Sequence, residues 1–483
     1  GRTEPPAQVT GTAPLLNGVL ELVLADGYVP QVEDSIPLLS SEFIDHETAQ
    51  FSIVLINDPL PEGLYIKLEY IDSASARDAG GTIYAVVEEL TNLFGYGDYV
   101  NSEGVVGIAT DVVVADIGSS SRVADGFDDI VVTTTNALHV FLSDGTGGIT
   151  TQVTYSDPRF TSLAAVDAGD LDGDDTIDLA VVNSLTDEFF PFFNESNDAM
   201  SLTVGTPETT GPKPVDILLI NTNADNDDDV VIACYGHTLD DGQIDFFESI
   251  PTLSAAGFTM IGVVAAAGNP INIDPGDVNT DKDVSIFVVM ETKHSVDIVG
   301  DLGLGVGYNW SIVDSAGVAF GPLDIVVGDL NGDKVDDALV SCPESDVLCI
   351  LRGLPSGGFA DSLQLFVGEE PASIALVDFD NDGDKDISVI ATSSSTGLRT
   401  VMMYRNDTSI NDGNLMFASD VEYDSDLHPL FVATGDLDGD DHDDLVAVNA
   451  ATAFRGSPQY TLRLRSTAEC ASDFDGSGEV NVA

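Results

Sequence analysis

Apolar runs of Val, Ile, Leu and Ala alternate with clusters of Asp, Asn and Gly along the chain, and seven times one apolar run passes through an Asp/Asn ladder into another. The copies begin at Asp116, Asp170, Asn221, Asp277, Asp329, Asp378 and Asp436, at intervals of 54, 51, 56, 52, 49 and 58 residues. Short apolar runs punctuated by turn residues predict β-strands, and a period of about 50 residues fits one four-stranded sheet per repeat. The expected class is all-β, a seven-bladed β-propeller with a small N-terminal β domain.

The fifth repeat shows the pattern within one unit. GPLDIVVGDL and DALVSC flank the acidic ladder, then DVLCILRG and the more polar SLQLFVGE follow. A ring of such units buries its central strands on both faces, which accounts for near-continuous runs such as PVDILLI at 214–220 and PLDIVV at 322–327. The acidic ladders then share one rim. The ring must also close. The seventh repeat offers SPQYTLRLRS at 457–466 but no fourth strand after it, whereas LFGYGDYVNSEG at 93–104 resembles an outer strand placed ahead of the first repeat. Pairing of 91–104 with 459–465 is expected to complete that sheet and remove exposed edges. The propeller then spans 91–467. Residues 1–90 read as a separate module of short strands, GVLELVL, SIPLL, FSIVLIN, GLYIKLEY and GTIYAVVEE among them, behind an extended tail GRTEPPAQ. Residues 468–483 form a C-terminal tail.

The ladders suit a hard cation. In DFDNDGDKD, Asp378, Asp380 and Asp382 alternate, Gly383 supplies a turn and Asp386 closes the loop. Calcium takes roughly 6 to 8 oxygens from carboxylates, amides, backbone carbonyls and water, whereas zinc or copper prefers His or Cys. The other copies read Asp170, Asp172, Asp174, Asp178; Asn221, Asn223, Asp225, Asp229; Asp329, Asn331, Asp333, Asp337; and Asp436, Asp438, Asp440, Asp444. In the fourth, Asp277, Asn279 and Asp281 are followed by Ser285 in the closing position, which predicts weaker binding. The first is stretched, Asp116 being separated by an insertion from Asp125, Gly126 and Asp129. The turn position of Gly383 is Asp175, Asn226, Lys282, Lys334 or Asp441 elsewhere, and Lys adopts left-handed backbone least readily of these. A single acidic run is an ordinary solvated turn. Recurrence of the same alternation and closing residue points instead to about four to seven Ca²⁺ ions.

With 83 acidic against 16 basic residues, the net charge is −67. This field opposes nucleic acid and anionic membranes, and no basic stripe exists to bind either. No run of about 20 apolar residues is present to insert in a bilayer. Cys342 and Cys349 flank PESDVL between two apolar strands, a spacing that places them opposite each other in a hairpin and permits a disulfide; Cys234 and Cys470 read as thiols. None of the six histidines sits in a GxSxG or HExxH setting, and His442 within the last ladder reads as a turn residue. No catalytic or organic-cofactor site is expected.

The recurring [DN]x[DN]xDxxxD between strands resembles the FG-GAP/VCBS repeats of integrin α-like seven-bladed propellers, over about 91–467. Segment 8–89 resembles modules that end autotransporter-type passengers and large bacterial surface proteins. The tail DFDGSGEVNVA, with Asp473, Asp475, Ser477, Gly478 and Asn481 as in the first part of an EF-type loop, is similar to dockerin-like segments of planctomycete-type secreted proteins. Together the resemblances imply a secreted bacterial surface protein with calcium in its blade loops, and no particular ligand. Three functions follow as expectations. The first is a non-enzymatic extracellular structural or adhesive protein that meets other extracellular proteins, polysaccharide or further copies of itself. The second is a self-assembling subunit of a fibre or sheath joined by N-terminal strand addition. The third is a polysaccharide-active or phospholipase-type propeller enzyme.

Overall fold

The computed structural model describes residues 108–449 apart from 119–124, 146–148, 195–199, 224, 226, 239–240, 253–254, 279–283, 302–309, 379–382, 395–396, 409–414, 424–428 and 440–441, together with the backbone of strands lying outside that span. The chain divides into two compact units, Gly1–Leu93 with Asp407–Asp420, and Phe94–Asn406 with Val421–Ala483.

The smaller unit holds two three-stranded sheets. In one, Asn17–Leu24 pairs antiparallel with Ala7–Val9 and parallel with Gln50–Ile56. In the other, Gly81–Glu89 lies between Ser35–Ser41 and Leu64–Asp72, antiparallel to both. Most of the strands expected from the apolar runs are therefore present. The expected tail is partly strand, because Ala7 and Gln8 pair with Leu24 and Val23.

The larger unit is a succession of antiparallel meanders in which each strand pairs with the next. The first runs through Ala109–Ala115, Asp129–Thr134, Ala137–Ser143 and Ile149–Tyr155. The second begins with Leu163–Gly169, Asp178–Asn183 and Glu188–Asn194, the third with Pro214–Ile220, Asp229–Cys234 and Gln243–Thr252. The fourth begins with Pro270–Gly276 and Ser285–Met290, the fifth with Ile325–Gly328, Asp337–Cys342 and Val347–Gly353, and the sixth with Ile374–Val377, Asp386–Thr392 and Arg399–Asn406. A last sheet orders Pro429–Gly435, Asp444–Asn449, Thr461–Leu464 and Val100–Asn101, with Leu462 opposite Asn101 and Arg463 opposite Val100. The outer strand of this sheet thus comes from the segment expected to supply it; the rest of 91–104 lies outside the described residues. A 3-10 turn at Pro343–Ser345 is the one helical element among the described residues, and none is long and apolar enough to cross a membrane.

First strands of neighbouring sheets pack side by side, and Pro429–Gly435 of the last sheet meets Ala109–Ala115 of the first, so the series returns on itself as a β-propeller. Apolar clusters fill the seams. Ile117, Val131, Leu179 and Phe190 join the first two sheets, and Ile130, Val132 and Phe141 pack on Leu437, Val446 and Val448 of the last. Phe246 stacks on Trp310 at 4.5 Å between the third and fourth. Contrary to the sequence-based expectation, the second strand of each sheet is buried more deeply than the first. Asp178–Asn183 and Asp337–Cys342 are buried at every position, whereas Leu163–Gly169 and Pro214–Ile220 are buried only in part. The second strand is covered on both faces by neighbouring sheets and on both edges by ladder partners; the first faces the middle of the ring.

Cys342 and Cys349 are buried thiols with sulfurs 3.7 Å apart. The register pairs Cys342 with Val347 and Val340 with Cys349, so the cysteines lie diagonally rather than opposite. Cys234 is a buried thiol, and Cys470 lies outside the described residues. Leu179, fully buried in the seam of the first two sheets, reports on the packing. Leu179→Ala should lower the unfolding free energy in urea by about 3 kcal/mol, and an unchanged midpoint would contradict this account of the seam.

Candidate metal centres

Each acidic ladder occupies the connection between the first and second strands of its sheet. The first carboxylate folds the loop around itself. Asp170 Oδ1 accepts N–H groups of Gly173 and Asp174 at 2.8 and 3.2 Å, and Oδ2 that of Asp175 at 2.9 Å. Asp329 does the same with Gly332, Asp333 and Lys334 at 2.7, 3.2 and 2.7 Å. Asp436 receives Gly439 at 2.7 Å, Asp378 receives Gly383 at 3.0 Å, and Asp116, despite the insertion, receives Asp125 and Gly126 at 3.2 and 2.9 Å. These wraps place two residues in left-handed backbone, Gly173 and Asp175 at φ 72° and 67°, Gly332 and Lys334 at φ 74° and 70°. Lys334 therefore adopts the conformation it was expected to resist. The strain is offset by its N–H bond to Asp329. The recurring Gly173, Gly332 and Gly439 gave a readable signal for the earlier turn position, which the sequence reading passed over.

The closing carboxylate ties strands together. Asp178 accepts Leu171 N–H at 3.0 Å on Oδ2 and Asn194 N–H, at the end of the third strand, at 2.7 Å on Oδ1. Asp129 holds Ile117 and Ser143 in the same way at 3.2 and 2.8 Å, Asp229 holds Thr222 and Ser249 at 3.1 and 3.0 Å, and Asp337 holds Leu330 and Gly353 at 3.1 and 2.8 Å. Asp386 receives Asn406 at 2.6 Å and Asp444 receives Leu437 at 3.1 Å. Ser285 brings no carboxylate to this position in the fourth loop.

Three carboxylates converge in two loops. Asp170, Asp172 and Asp174 each offer an oxygen within 4.8 Å of the others, and so do Asp436, Asp438 and Asp444. In the third loop Asn221 Oδ1 receives Asn223 N–H at 3.2 Å, and Asn223 Oδ1 receives Asp225 N–H at 2.8 Å. In the fifth, Asn331 Oδ1 receives Asp333 N–H at 3.0 Å. Asp277 is in place at the start of the fourth loop; Asn279, Asp281, Asp380, Asp382 and Asp440 lie outside the described residues. A donor set made wholly of carboxylate and amide oxygens fits calcium. Electrostatics agree. Burial pushes Asp129 and Asp178 up to about 8 and Asp337 up to about 7, with neighbouring loop carboxylates adding to the rise and backbone donors opposing it. A divalent ion among such groups restores their charge.

Two further sets of aspartates stitch sheet to sheet. Asp128 Oδ2 accepts Asp436 N–H at 2.9 Å while its own N–H reaches Asp436 O at 2.7 Å, joining the last sheet to the first. Asp228 and Asp336 make the same reciprocal pair with Asp170 and Asp277. Along the first strands, Asp111, Asp167, Asp216, Asp274 and Asp324 each accept an N–H from the next first strand, at Val166, Leu219, Ile273, Val327 and Ile374, over 3.0, 2.7, 2.7, 2.6 and 2.9 Å. Sequence reasoning missed both sets. The Asp-Asp doublets at 128–129, 228–229 and 336–337 and the lone Asp in or beside the apolar first strand of each of the first five sheets were visible signals. Burial raises Asp111 and Asp167 to about 7 and Asp324 to about 6, and Asp216 and Asp274 well above the usual carboxylate range; repulsion from other members of the set adds to the rise at Asp111, Asp216 and Asp274.

Two outcomes follow. Asp178→Ala strands two N–H groups, each worth about 1–3 kcal/mol, so it should lower the melting temperature even in chelator, whereas Asp172→Asn should do so only with calcium present. Equal losses in both conditions for the two variants would refute this division. Because folded pKa values of the inner set are raised above unfolded ones, its contribution is present at low pH and lost as pH rises through about 6 to 7. In chelator the melting temperature should rise as pH is lowered from 8 to 6, and Asp167→Asn should flatten that slope; a slope of opposite sign would contradict it.

Comparison with known proteins agrees with this architecture. Residues 124–181, covering the first closing residue through most of the second sheet's buried strand, match the FG-GAP-like repeat family. No curated protein matches the chain. Among solved structures, one described as BBS1N in complex with ARL6DN, soaked with lead, aligns at 15% identity over 78% of this chain and 98% of that one, with a TM-score of 0.50. Proteins from Lactobacillus plantarum and Desulfotomaculum acetoxidans align at 12% and 14% identity, over 74% and 66% of this chain and 97% and 91% of theirs, with TM-scores of 0.48 and 0.45. At such identity the likeness concerns fold alone. The chain is thus an all-β propeller that carries an FG-GAP-like repeat across its first and second sheets.

Proposed function

We propose that this protein is a non-enzymatic, extracellular, calcium-stabilised seven-bladed propeller that presents a rigid surface for adhesion or matrix assembly. The observation that carries the reading is the convergence of Asp170, Asp172 and Asp174, and of Asp436, Asp438 and Asp444, at the same connection of different sheets. Seven blades are supported by the seven ladders and by the pairing of Val100–Asn101 with Thr461–Leu464. When bound, calcium supplies positive charge to groups that otherwise repel one another. Here Asp170 and Asp436 hold the loop backbone in a ligating shape, and the closing carboxylates anchor that loop to the sheet. Cation binding free energy then adds to folding free energy.

The partners proposed are other extracellular proteins, polysaccharide or further copies of the chain. Strand donation by the N-terminal segment is the weaker reading, since Ala7–Val9 already pairs with its own sheet. Catalysis draws no support from the acidic loops, whose carboxylates a bound ion would keep ionised and unable to donate protons. Thermal unfolding in millimolar calcium and in excess chelator tests the metal claim. The melting temperature should be higher with calcium by at least several degrees, and identical transitions would reject it.

A further inference from the structure

The third loop differs from its siblings in its ligands. Asn221 and Asn223 stand where the second loop has Asp170 and Asp172 and the last has Asp436 and Asp438. Two of its donors are therefore neutral amides. One oxygen of its closing carboxylate is fully engaged, because Thr222 gives Asp229 Oδ2 both its N–H, at 3.1 Å, and its hydroxyl, as Leu330 N–H and the Asn331 amide engage Asp337 Oδ2 in the fifth loop; Ser249 N–H meets Oδ1 at 3.0 Å. The residue in the place of Thr222 is Leu171, Leu330 or Leu437 in other loops, none of which has a hydroxyl. A carboxylate oxygen has two lone pairs, so Oδ2 of Asp229 has none left for an ion.

Asp227 has the opposite condition. It is only 3% exposed, yet its Oδ1 has no hydrogen-bond partner. Its N–H points back to Asp225 Oδ1 at 3.4 Å, and the Asp225 and Asp229 carboxylates are near enough to act on its charge. A buried carboxylate oxygen without a donor is costly, and a cation removes that cost. Thr176 and Val335, in the same position of the second and fifth loops, carry no carboxylate.

We propose that Asp227, rather than Asp229, supplies the completing carboxylate of a divalent-cation site in the third loop, with the side-chain oxygens of Asn221, Asn223 and Asp225. Asp227 restores a second ionised ligand beside Asp225, and Asp229 remains the strand clamp. The assignment rests on the reading of the loops as calcium sites. Native mass spectrometry of the full chain in calcium, with wild type, Asp227→Ala and the isosteric Asp227→Asn, tests it. The alanine variant should carry one ion fewer than wild type, and the asparagine variant, with one ligand charge removed, should hold that ion more weakly. In chelator both should melt at or near the wild-type temperature, because Asp227 faces the like-charged Asp225 and Asp229 carboxylates and its Oδ1 receives no donor in the apo fold. Full wild-type ion count and affinity in both variants would overturn the assignment. A wild-type chain that binds no calcium would instead overturn the calcium reading beneath it, and the two failures are distinct.

Discussion

Backbone N–H groups left over where strands turn away from their ladders are the constraint on which this structure depends. A meander satisfies its own hydrogen bonds inside each sheet, but the residue after the first strand and the third-strand residue beyond the last rung with the second strand have no partner there, although the latter still pairs with the fourth strand. Buried N–H groups must be satisfied. One aspartate, at the start of the fully buried second strand, accepts both, as Asp178 does for Leu171 and Asn194. The same device recurs with Asp129, Asp229 and Asp337.

Solving the backbone problem with carboxylates creates an electrostatic one. Each clamp sits beside the ladder's own acids, and the reciprocal pairs of Asp128, Asp228 and Asp336 bring more acids to the seams. Among so many like charges some groups hold protons in the absence of a cation, in keeping with the raised values at Asp129 and Asp178. Divalent ions resolve the same conflict without protonation. On this view the cation is less a bridge between strands than a counter-charge to bridges already made by backbone hydrogen bonds. Cation release then loosens the outer turns of the loops ahead of the sheets beneath them.

The repeat, its strands and the closure by the segment near Val100 were legible because each depends on local pattern: apolar runs, turn residues and a constant period. The wrap of Asp170 around its loop was legible only in part, since the turn at Asp175 was read from the pattern and the one at Gly173 was not. The burial order of strands was not, since the first strand looks as apolar as the second and only the closed ring shows that one faces the middle. Asp111, Asp167 and Asp324 appear in sequence as interruptions in hydrophobic runs, yet their acceptors' partners are 55, 52 and 50 residues away on the next sheet. The diagonal placement of Cys342 and Cys349 likewise depends on register set by the Pro343–Ser345 turn. Asp227 could not be told from a turn acid until the Thr222 hydroxyl was seen on Asp229.

Hydrogen–deuterium exchange followed by mass spectrometry, on the protein in calcium and after chelation, tests the central claim that closing carboxylates hold the rim with or without an ion. Peptides reporting Asn194, Ser249 and Gly353 should stay protected on chelation, while those reporting Gly173 to Asp175 exchange faster. Loss of protection at both together would contradict the account.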